Sequence, residues 1–277
     1  MSQQFKPGKA STGRVYNAYN GGEDNFEADR ALAGQVVAVA PDAAGRAADL
    51  AGFSLAAAAV IAAGVGQLVD IGAGTPARDC LYQVARRVNP GIRLAAVDHD
   101  PVVLAQLRAE AGDRAVIEAD VRHVAGLLRE LDAVVDWSQP LGVMLCAVLH
   151  FVADDEVEGR GPRAIAGAII FRLAPGSLVA ISHACSTGAD PDVITGISAA
   201  YERHSLRLVW RDEEVIKDLF TSRVALLPPP GTVAGGLGDP RSWLLPPQQL
   251  RQGLAVGSPV SLRAGIGMVT GTGRAGA

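Results

Sequence analysis

The sequence of 277 residues has few of the features that mark specialised protein classes. Its three cysteines, Cys80, Cys146 and Cys185, are far apart and form no Cys-x-x-Cys pair, which argues against a disulfide framework or a zinc site. No three of the five histidines have a metal-ligand spacing either, so we expect no metal. Only three of the 25 basic residues are lysines, and 29 acidic residues give a net charge of −4. A chain without a basic excess is a poor candidate for nucleic-acid binding.

Long hydrophobic runs are also missing. The N-terminus is polar, and the longest apolar stretch, residues 55–69, is interrupted by glycines and falls short of the roughly 20 residues of a membrane span. We therefore expect a cytoplasmic protein with no membrane contact. Hydrophobic residues make up 49% and charged residues 19%, which is typical of a folded chain. We expect a single domain over 1–277, with an N-terminal extension over 1–64 and a core over 65–277.

Strands and helices are predicted to alternate through the core. The sequence predicts strands at 67–71, 93–97, 115–118, 141–149 and 177–182. It predicts helices at 41–63, 78–88, 101–112, 123–131, 162–173, 191–203 and 213–220. This alternation indicates an α/β fold with a mainly parallel sheet. A Pro/Gly-rich insertion near 228–247 precedes a last strand near 265–270, which we expect in an antiparallel pair at the sheet edge.

The most informative segment is the turn that follows the first strand, where the backbone reads Gly72-Ala73-Gly74. Glycines at this point allow a sharp turn and a close approach of the backbone to a ligand. A dinucleotide site would have a third glycine and would rest a pyrophosphate on the helix N-terminus. Here Ala77 takes the third glycine's place, and Asp79 would repel a phosphate.

Acidic residues follow the first three predicted strands in order. Asp98 ends the second strand at the distance expected for a carboxylate that binds ribose hydroxyls. Asp120 ends the third strand and can accept from an adenine amino group, while Val121 packs on the ring. Asp70 precedes the glycines and suits a ligand that carries an ammonium group and no phosphate. S-adenosyl-L-methionine is such a ligand, and His99 is expected to touch its adenosine.

Several motifs, in this order, resemble those of class I S-adenosylmethionine-dependent methyltransferases. More narrowly, the chain is similar to an actinobacterial family of S-adenosyl methyltransferases that was formerly a domain of unknown function. The segments that carry the resemblance are RVYNAYNGGEDNF at 14–26, VDIGAG at 69–74, VDHDPVVL at 97–104, EAD at 118–120, AVLHFV at 147–152 and LAPGS at 173–177.

The resemblance implies a Rossmann-like, seven-stranded methyltransferase sheet with helices on both faces and an N-terminal helical extension over the cofactor. It implies that Arg14, Tyr16, Asn25 and Ala147 take part in cofactor binding. The crowding of aromatic and amide groups in 16–26 suits a lid over a ligand; the alternative is a packed extension with Tyr16 in the core. The family usually has a lysine where this chain has Glu23.

Methyl transfer needs mainly alignment of the acceptor, and a general base only for some acceptors. His150, at the end of the fourth predicted strand, is the best candidate, followed by His183 at the end of the fifth. For each of them a structural role is the alternative. The leading hypothesis is a methyltransferase for a small-molecule acceptor, with a homo-oligomer left open. The competing ones are a cofactor-binding sensor or partner subunit without turnover and, more weakly, a nicotinamide oxidoreductase.

Overall fold

The computed structural model of the protein describes residues 8–76, 80–110, 112, 114–154, 161–230, 232–244 and 259–270. Its strands are β1 (Gln67–Ile71), β2 (Arg93–Asp98), β3 (Ala115–Glu118), β4 (Gly142–Cys146), β5 (Leu178–Ala184), β6 (Val224–Leu226) and β7 (Leu262–Val269). Its α-helices are α1 (Thr12–Tyr19), α2 (Glu27–Val39), α3 (Ala43–Gly64), α4 (Leu81–Val88), α5 (Pro101–Ala109), α6 (Val124–Leu131), α7 (Pro162–Arg172), α8 (Pro191–Arg203) and α9 (Glu213–Asp218).

The seven strands form one sheet in the order β3-β2-β1-β4-β5-β7-β6. Strands β1 to β5 are parallel, and β7 is antiparallel to both of its neighbours, β5 and β6. This confirms the predicted Rossmann-like sheet and its antiparallel edge pair. The strand order reverses between β1 and β4, and the crevice at the carboxyl ends of these strands is where open α/β sheets bind ligands.

Helices cover both faces of the sheet, as expected. One apolar cluster joins α6 and α7 to one face, and a second joins α3, α4 and α5 to the other. Helix α3 has 22 residues and is long and apolar enough to cross a membrane by composition alone. Just over half of its most apolar window is buried inside the protein, however, and Ile61 packs closely on Gly142 of β4. Such burial is what a core helix shows.

The N-terminal helices form a separate layer, which confirms the predicted helical extension. Val15, Leu32 and Val36 from α1 and α2 share a third apolar cluster with Ile197 and Tyr201 of α8. This layer brings α1 onto the carboxyl edge of the sheet, because Gly13 packs against the backbone of Gly74.

Two predicted strand boundaries were wrong. The fourth strand was expected to continue to residue 149, but β4 ends at Cys146 because Ala147 takes a φ of 54°. The chain then forms a short 3-10 turn over Leu149–Phe151, which places His150 after the strand. The last strand begins at Leu262, three residues before the predicted start. Within the Pro/Gly-rich insertion the structure shows a 3-10 turn over Pro240–Trp243, whereas residues 231 and 245–258 lie outside the described residues.

Candidate cofactor and methyl-transfer site

A large cavity of about 630 Å³ opens at the carboxyl ends of β1, β2 and β3. Pockets that hold drug-sized ligands have volumes of roughly 300–1,000 Å³. The walls come from residues 9–12 and 14, 71–72, 98–101, 119–122, 148, 151–153 and 204–207. Six of the residues predicted to bind the cofactor line this cavity: Arg14, Gly72, Asp98, His99, Asp120 and Val121.

The glycine turn is shaped by two left-handed residues, Gly72 with φ 75° and Gly74 with φ 63°. The N–H groups of Gly72 and Ala73 both donate to the Val97 carbonyl, at 2.9 and 3.0 Å. A Cβ atom on Gly72 would lie only 2.6 Å from Cγ2 of Val148, which follows β4. Glycine is therefore required at position 72 for its φ and for its close contact with the neighbouring strand end.

Asp98 is held rigidly at the cavity wall. Its Oδ2 accepts from the Gly74 N–H at 2.9 Å, and its Oδ1 accepts from the N–H groups of His99 at 2.7 Å and Asp100 at 2.9 Å. A carboxylate has roughly four acceptor sites, so one is left for a ligand hydroxyl. The glycine turn and the end of β2 are thus joined through the carboxylate that was predicted to bind ribose.

Asp120 is anchored by Arg122, which the sequence analysis did not single out. The Arg122 guanidinium lies 2.6 Å from Oδ2, and the Arg122 N–H donates to Oδ1 at 2.9 Å. Burial would raise the pKa of Asp120, but the hydrogen bonds from Arg122 outweigh it and lower the pKa below its ordinary value. The carboxylate is therefore ionised and fixed beside Val121 on the cavity wall.

Arg14 works as a clamp for the N-terminal layer. Its Nε lies 2.9 Å from Oδ2 of the buried Asp29 on α2, and its Nη1 pairs with Asp100 at the start of α5. Its Nη2 also donates to the Lys9 carbonyl at 2.7 Å. Two buried carboxylates thus share one guanidinium, so the residue ties α1 and α2 to the cavity wall.

The remaining predicted residues of the N-terminal segment lie outside the large cavity. Asn25 stabilises the α1–α2 loop, since its Nδ2 donates to Oδ1 of Asn17 at 2.8 Å and to the Gly22 carbonyl at 2.7 Å. Tyr16 lines a second, smaller cavity. A direct cofactor contact by either residue stays a prediction.

The comparisons with known proteins agree with this geometry. A sequence profile described as "S-adenosyl methyltransferase" matches residues 1–242. The chain belongs to this S-adenosyl methyltransferase family. A candidate methyltransferase from Thermobifida fusca is 29% identical, with a TM-score of 0.82 over 95% of this chain and 96% of that chain. A DUF574 family protein from Streptomyces avermitilis has the same fold, at 22% identity and a TM-score of 0.83 over 94% and 98% of the two chains. No curated protein matches significantly.

The family fixes the chemistry of this methyltransferase and decides against a nicotinamide oxidoreductase. S-adenosyl-L-methionine supplies a methyl group that is already activated on a sulfonium sulfur. The residues present fit this cofactor, because Asp98 and Asp120 offer carboxylates to a nucleoside within one cavity beside the Gly72 turn.

Asp70 lies beneath the glycine turn and does not line the large cavity. Its Oδ2 accepts from the Tyr82 hydroxyl of α4 at 2.8 Å, and the Arg114 guanidinium carbon lies 4.0 Å from the centre of the Tyr82 ring. Burial, with a smaller contribution from the nearby Asp98, raises the pKa of Asp70 to about 6 against the opposing hydrogen bond from Tyr82. Asp70 thus links β1 to α4 through Tyr82, and its predicted contact with the cofactor ammonium stays a prediction.

His150 is fully buried in the 3-10 turn that follows β4. Its Nδ1 accepts from the Ala184 N–H at 3.3 Å, so the ring proton of the neutral form is on Nε2. Nε2 has no hydrogen-bond partner within the described residues. Burial lowers the pKa of His150 well below its ordinary value, and His183 and Arg211 lower it further. The ring is thus arranged as a neutral donor, and the predicted base role would require Nδ1 to release Ala184.

Both ring nitrogens of His183 are engaged. Nδ1 lies 2.7 Å from the Ala184 carbonyl, and Nε2 lies 2.9 Å from Nη1 of Arg211. Burial lowers the pKa of His183 to about 4, so the ring is neutral at physiological pH. This arrangement favours the structural role that was the alternative for His183, and a catalytic role stays a prediction.

The sequence analysis missed Arg211, the buried arginine that positions the turn after β4. Its guanidinium donates to the carbonyls of Leu149 and Val152, at 3.3 and 2.8 Å, and to Asp154 at 2.8 Å. No local motif marks this residue, since its partners lie some 60 residues earlier in the chain. The N–H of Ala147 lies 3.0 Å from Oγ of Ser182, which fixes the end of β4. The predicted contact of Ala147 with the cofactor stays a prediction.

Proposed function

We propose that this methyltransferase modifies a small-molecule acceptor in the cytoplasm of an actinobacterium, with its cofactor in the large cavity. In this arrangement Asp98 binds a ribose hydroxyl, and Val121 packs on the adenine with Asp120 near its amino group. The methionine end then lies toward Gly72 and Val148. The observation that carries the proposal is that these side chains, from four strand ends, line one cavity of nucleoside size.

The shape of the site supports a small acceptor. Residues 9–14 cover the large cavity from one side and residues 204–207 from another, so that the reacting centre lies in a concave, sheltered space. Concave sites of this kind are typical of small-molecule binding. The net charge of −4 shows no overall basic excess of the kind that favours a nucleic-acid acceptor.

The proposal is tested by following the methyl group. The purified protein is incubated with methyl-labelled S-adenosylmethionine and either the filtrate below 3 kDa or the retained macromolecules of an actinobacterial extract. We expect label in a small-molecule product that chromatography separates from S-adenosylmethionine, and we expect Asp98→Ala to abolish the transfer. Asp192→Ala, which changes an exposed aspartate on α8, is the matched control and should transfer normally.

Label found only in the macromolecular fraction would contradict a small-molecule acceptor. No labelled product from either fraction, together with normal binding of S-adenosylhomocysteine by calorimetry, would favour the alternative of a binding protein without turnover.

A further inference from the structure

The large cavity extends beyond the part that the proposed cofactor arrangement uses. That arrangement places the nucleoside at the ends of β2 and β3 and the methionine end toward Gly72 and Val148, and β4 flanks β1 on the side away from β2 and β3. Residues 151–153, after β4, and 204–207, after α8, also line the cavity but have no role in cofactor binding. This unassigned part lies beside the proposed place of the reacting methyl group, where an acceptor must be aligned.

The segment that follows α8 runs beside the turn after β4. The Val209 N–H donates to the His150 carbonyl at 2.8 Å, which fixes the direction of this segment. Ala10, which precedes α1, belongs to the same apolar cluster as Phe151 and Leu206. All three of these residues line the large cavity as well. The segments before α1, after β4 and after α8 therefore enclose one part of the cavity between them.

Two positively charged side chains on these segments have no acidic partner. Of the lysines and arginines that line the large cavity, Arg14 and Arg122 are paired with carboxylates of the protein. Lys9, before α1, and Arg207, after α8, form no salt bridge within the described part of the chain. Both residues are exposed, so a dissolved molecule that enters the cavity can reach them. Unpaired cations on the walls of a cleft attract an anion.

The charge of the cofactor increases this need for an anion. The ammonium and carboxylate of S-adenosylmethionine are both ionised at neutral pH and cancel each other, so its sulfonium leaves one net positive charge. A bound cofactor thus adds a positive charge to a cavity that already holds the unpaired Lys9 and Arg207. Charges attract more strongly in a cleft than in bulk water, because the effective dielectric constant is lower there. An anionic acceptor therefore suits this cavity better than a neutral one.

We propose that this part of the large cavity binds the methyl acceptor, and that the acceptor is a small organic molecule whose carboxylate is held by Lys9 and Arg207. The inference rests on the proposed function and names its class of substrate. The planar guanidinium of Arg207 matches a carboxylate with two parallel hydrogen bonds, and Lys9 adds a mobile point charge. Phe151 and Leu206 offer apolar surface to the rest of the molecule. The carboxylate thus anchors the acceptor within the cavity.

The test compares benzoate with benzamide, which has the same ring and a similar shape but no charge. Each is titrated by NMR into protein saturated with S-adenosylhomocysteine, and we expect benzoate to bind saturably and benzamide roughly 10-fold more weakly or less. Benzoate should bind roughly 3- to 5-fold more weakly to Arg207→Gln and to Lys9→Gln, as expected for a partly exposed ion pair. Arg108→Gln on α5 and Lys217→Gln on α9 remove the same charge at exposed positions outside the cavity lining and should leave the affinity unchanged.

A second pair of probes separates the acceptor's carboxylate from that of the cofactor. S-adenosylhomocysteine carries the amino-acid carboxylate, and methylthioadenosine lacks it. Both should bind Lys9→Gln and Arg207→Gln as tightly as the unchanged protein. If the variants weaken S-adenosylhomocysteine but not methylthioadenosine, the cations belong to the cofactor and the inference is overturned. It is also overturned if benzoate does not bind, binds no better than benzamide, or keeps its affinity in both variants. Failure of S-adenosylhomocysteine to bind the unchanged protein would instead overturn the proposed function itself.

Discussion

Replacing Asp98 by asparagine would probe the residue that holds the cavity wall and the proposed ribose contact together. Asparagine has the same shape, but one of its oxygens becomes an amide nitrogen that only donates. If the remaining oxygen accepts from His99 and Asp100, the amide nitrogen faces the Gly74 N–H, now 2.9 Å from Oδ2. In the opposite orientation the amide nitrogen faces the N–H groups of His99 and Asp100. Either way a backbone donor loses its acceptor.

The expected magnitudes follow from these contacts. One buried N–H without a partner costs about 1–3 kcal/mol, so the free energy of unfolding should fall by that amount. Loss of a charge-assisted bond to the ribose should cost about 2–3 kcal/mol of binding free energy. That corresponds to a roughly 30- to 150-fold weaker affinity for S-adenosylhomocysteine.

The affinity is measured by calorimetric titration, and urea denaturation of the same samples confirms that the variant is folded. Asp192→Asn, an exposed change on α8, is the control and should match the unchanged protein in both measurements. An affinity of folded Asp98→Asn within threefold of the unchanged protein would remove Asp98 from the cofactor site.

Three further predictions concern the surroundings of the cavity. Gly72→Ala should lower the free energy of unfolding by about 1–3 kcal/mol, because φ is 75° and the new Cβ would lie 2.6 Å from Val148. Denaturation of the double variant with Val148→Ala should show partial recovery, and none would contradict the contact. Asp70→Asn should raise the free energy of unfolding by up to about 3 kcal/mol at pH 7.5 but not at pH 4. The reason is that the pKa of Asp70 is raised to about 6 in the folded protein, so the folded protein loses stability as the pH rises from about 4 to 6. An equal gain in stability at both pH values would refute this reasoning. Arg211→Met should lower the free energy of unfolding by at least about 3 kcal/mol, because His183 and two carbonyls lose their hydrogen-bond donor. Asp154→Ala, which removes the exposed partner of Arg211, should lower it by less than about 1 kcal/mol in the same denaturation measurement.

His150 and His183 show which properties of the site follow from residue type and sequence position and which do not. The sequence placed His150 and His183 correctly near the carboxyl ends of β4 and β5, because strand ends follow from local hydrophobic pattern. It could not assign their protonation, since that depends on burial and on the Ala184 and Arg211 groups that surround the rings. The same holds for Asp70, because the sequence could not show that its carboxylate bonds to Tyr82.

The sequence by itself determined the alternation of strands and helices, the Gly72–Gly74 turn and the acids at successive strand ends. These features are encoded locally, by periodicity, by the φ that only glycine adopts easily and by the rule that parallel strands end at one edge. Tertiary structure alone decided that Arg14 clamps the N-terminal layer and that Arg211 fixes the turn after β4. Their partners lie up to 86 residues away in the chain, so no local pattern specifies those pairs before the sheet and its covering helices are assembled.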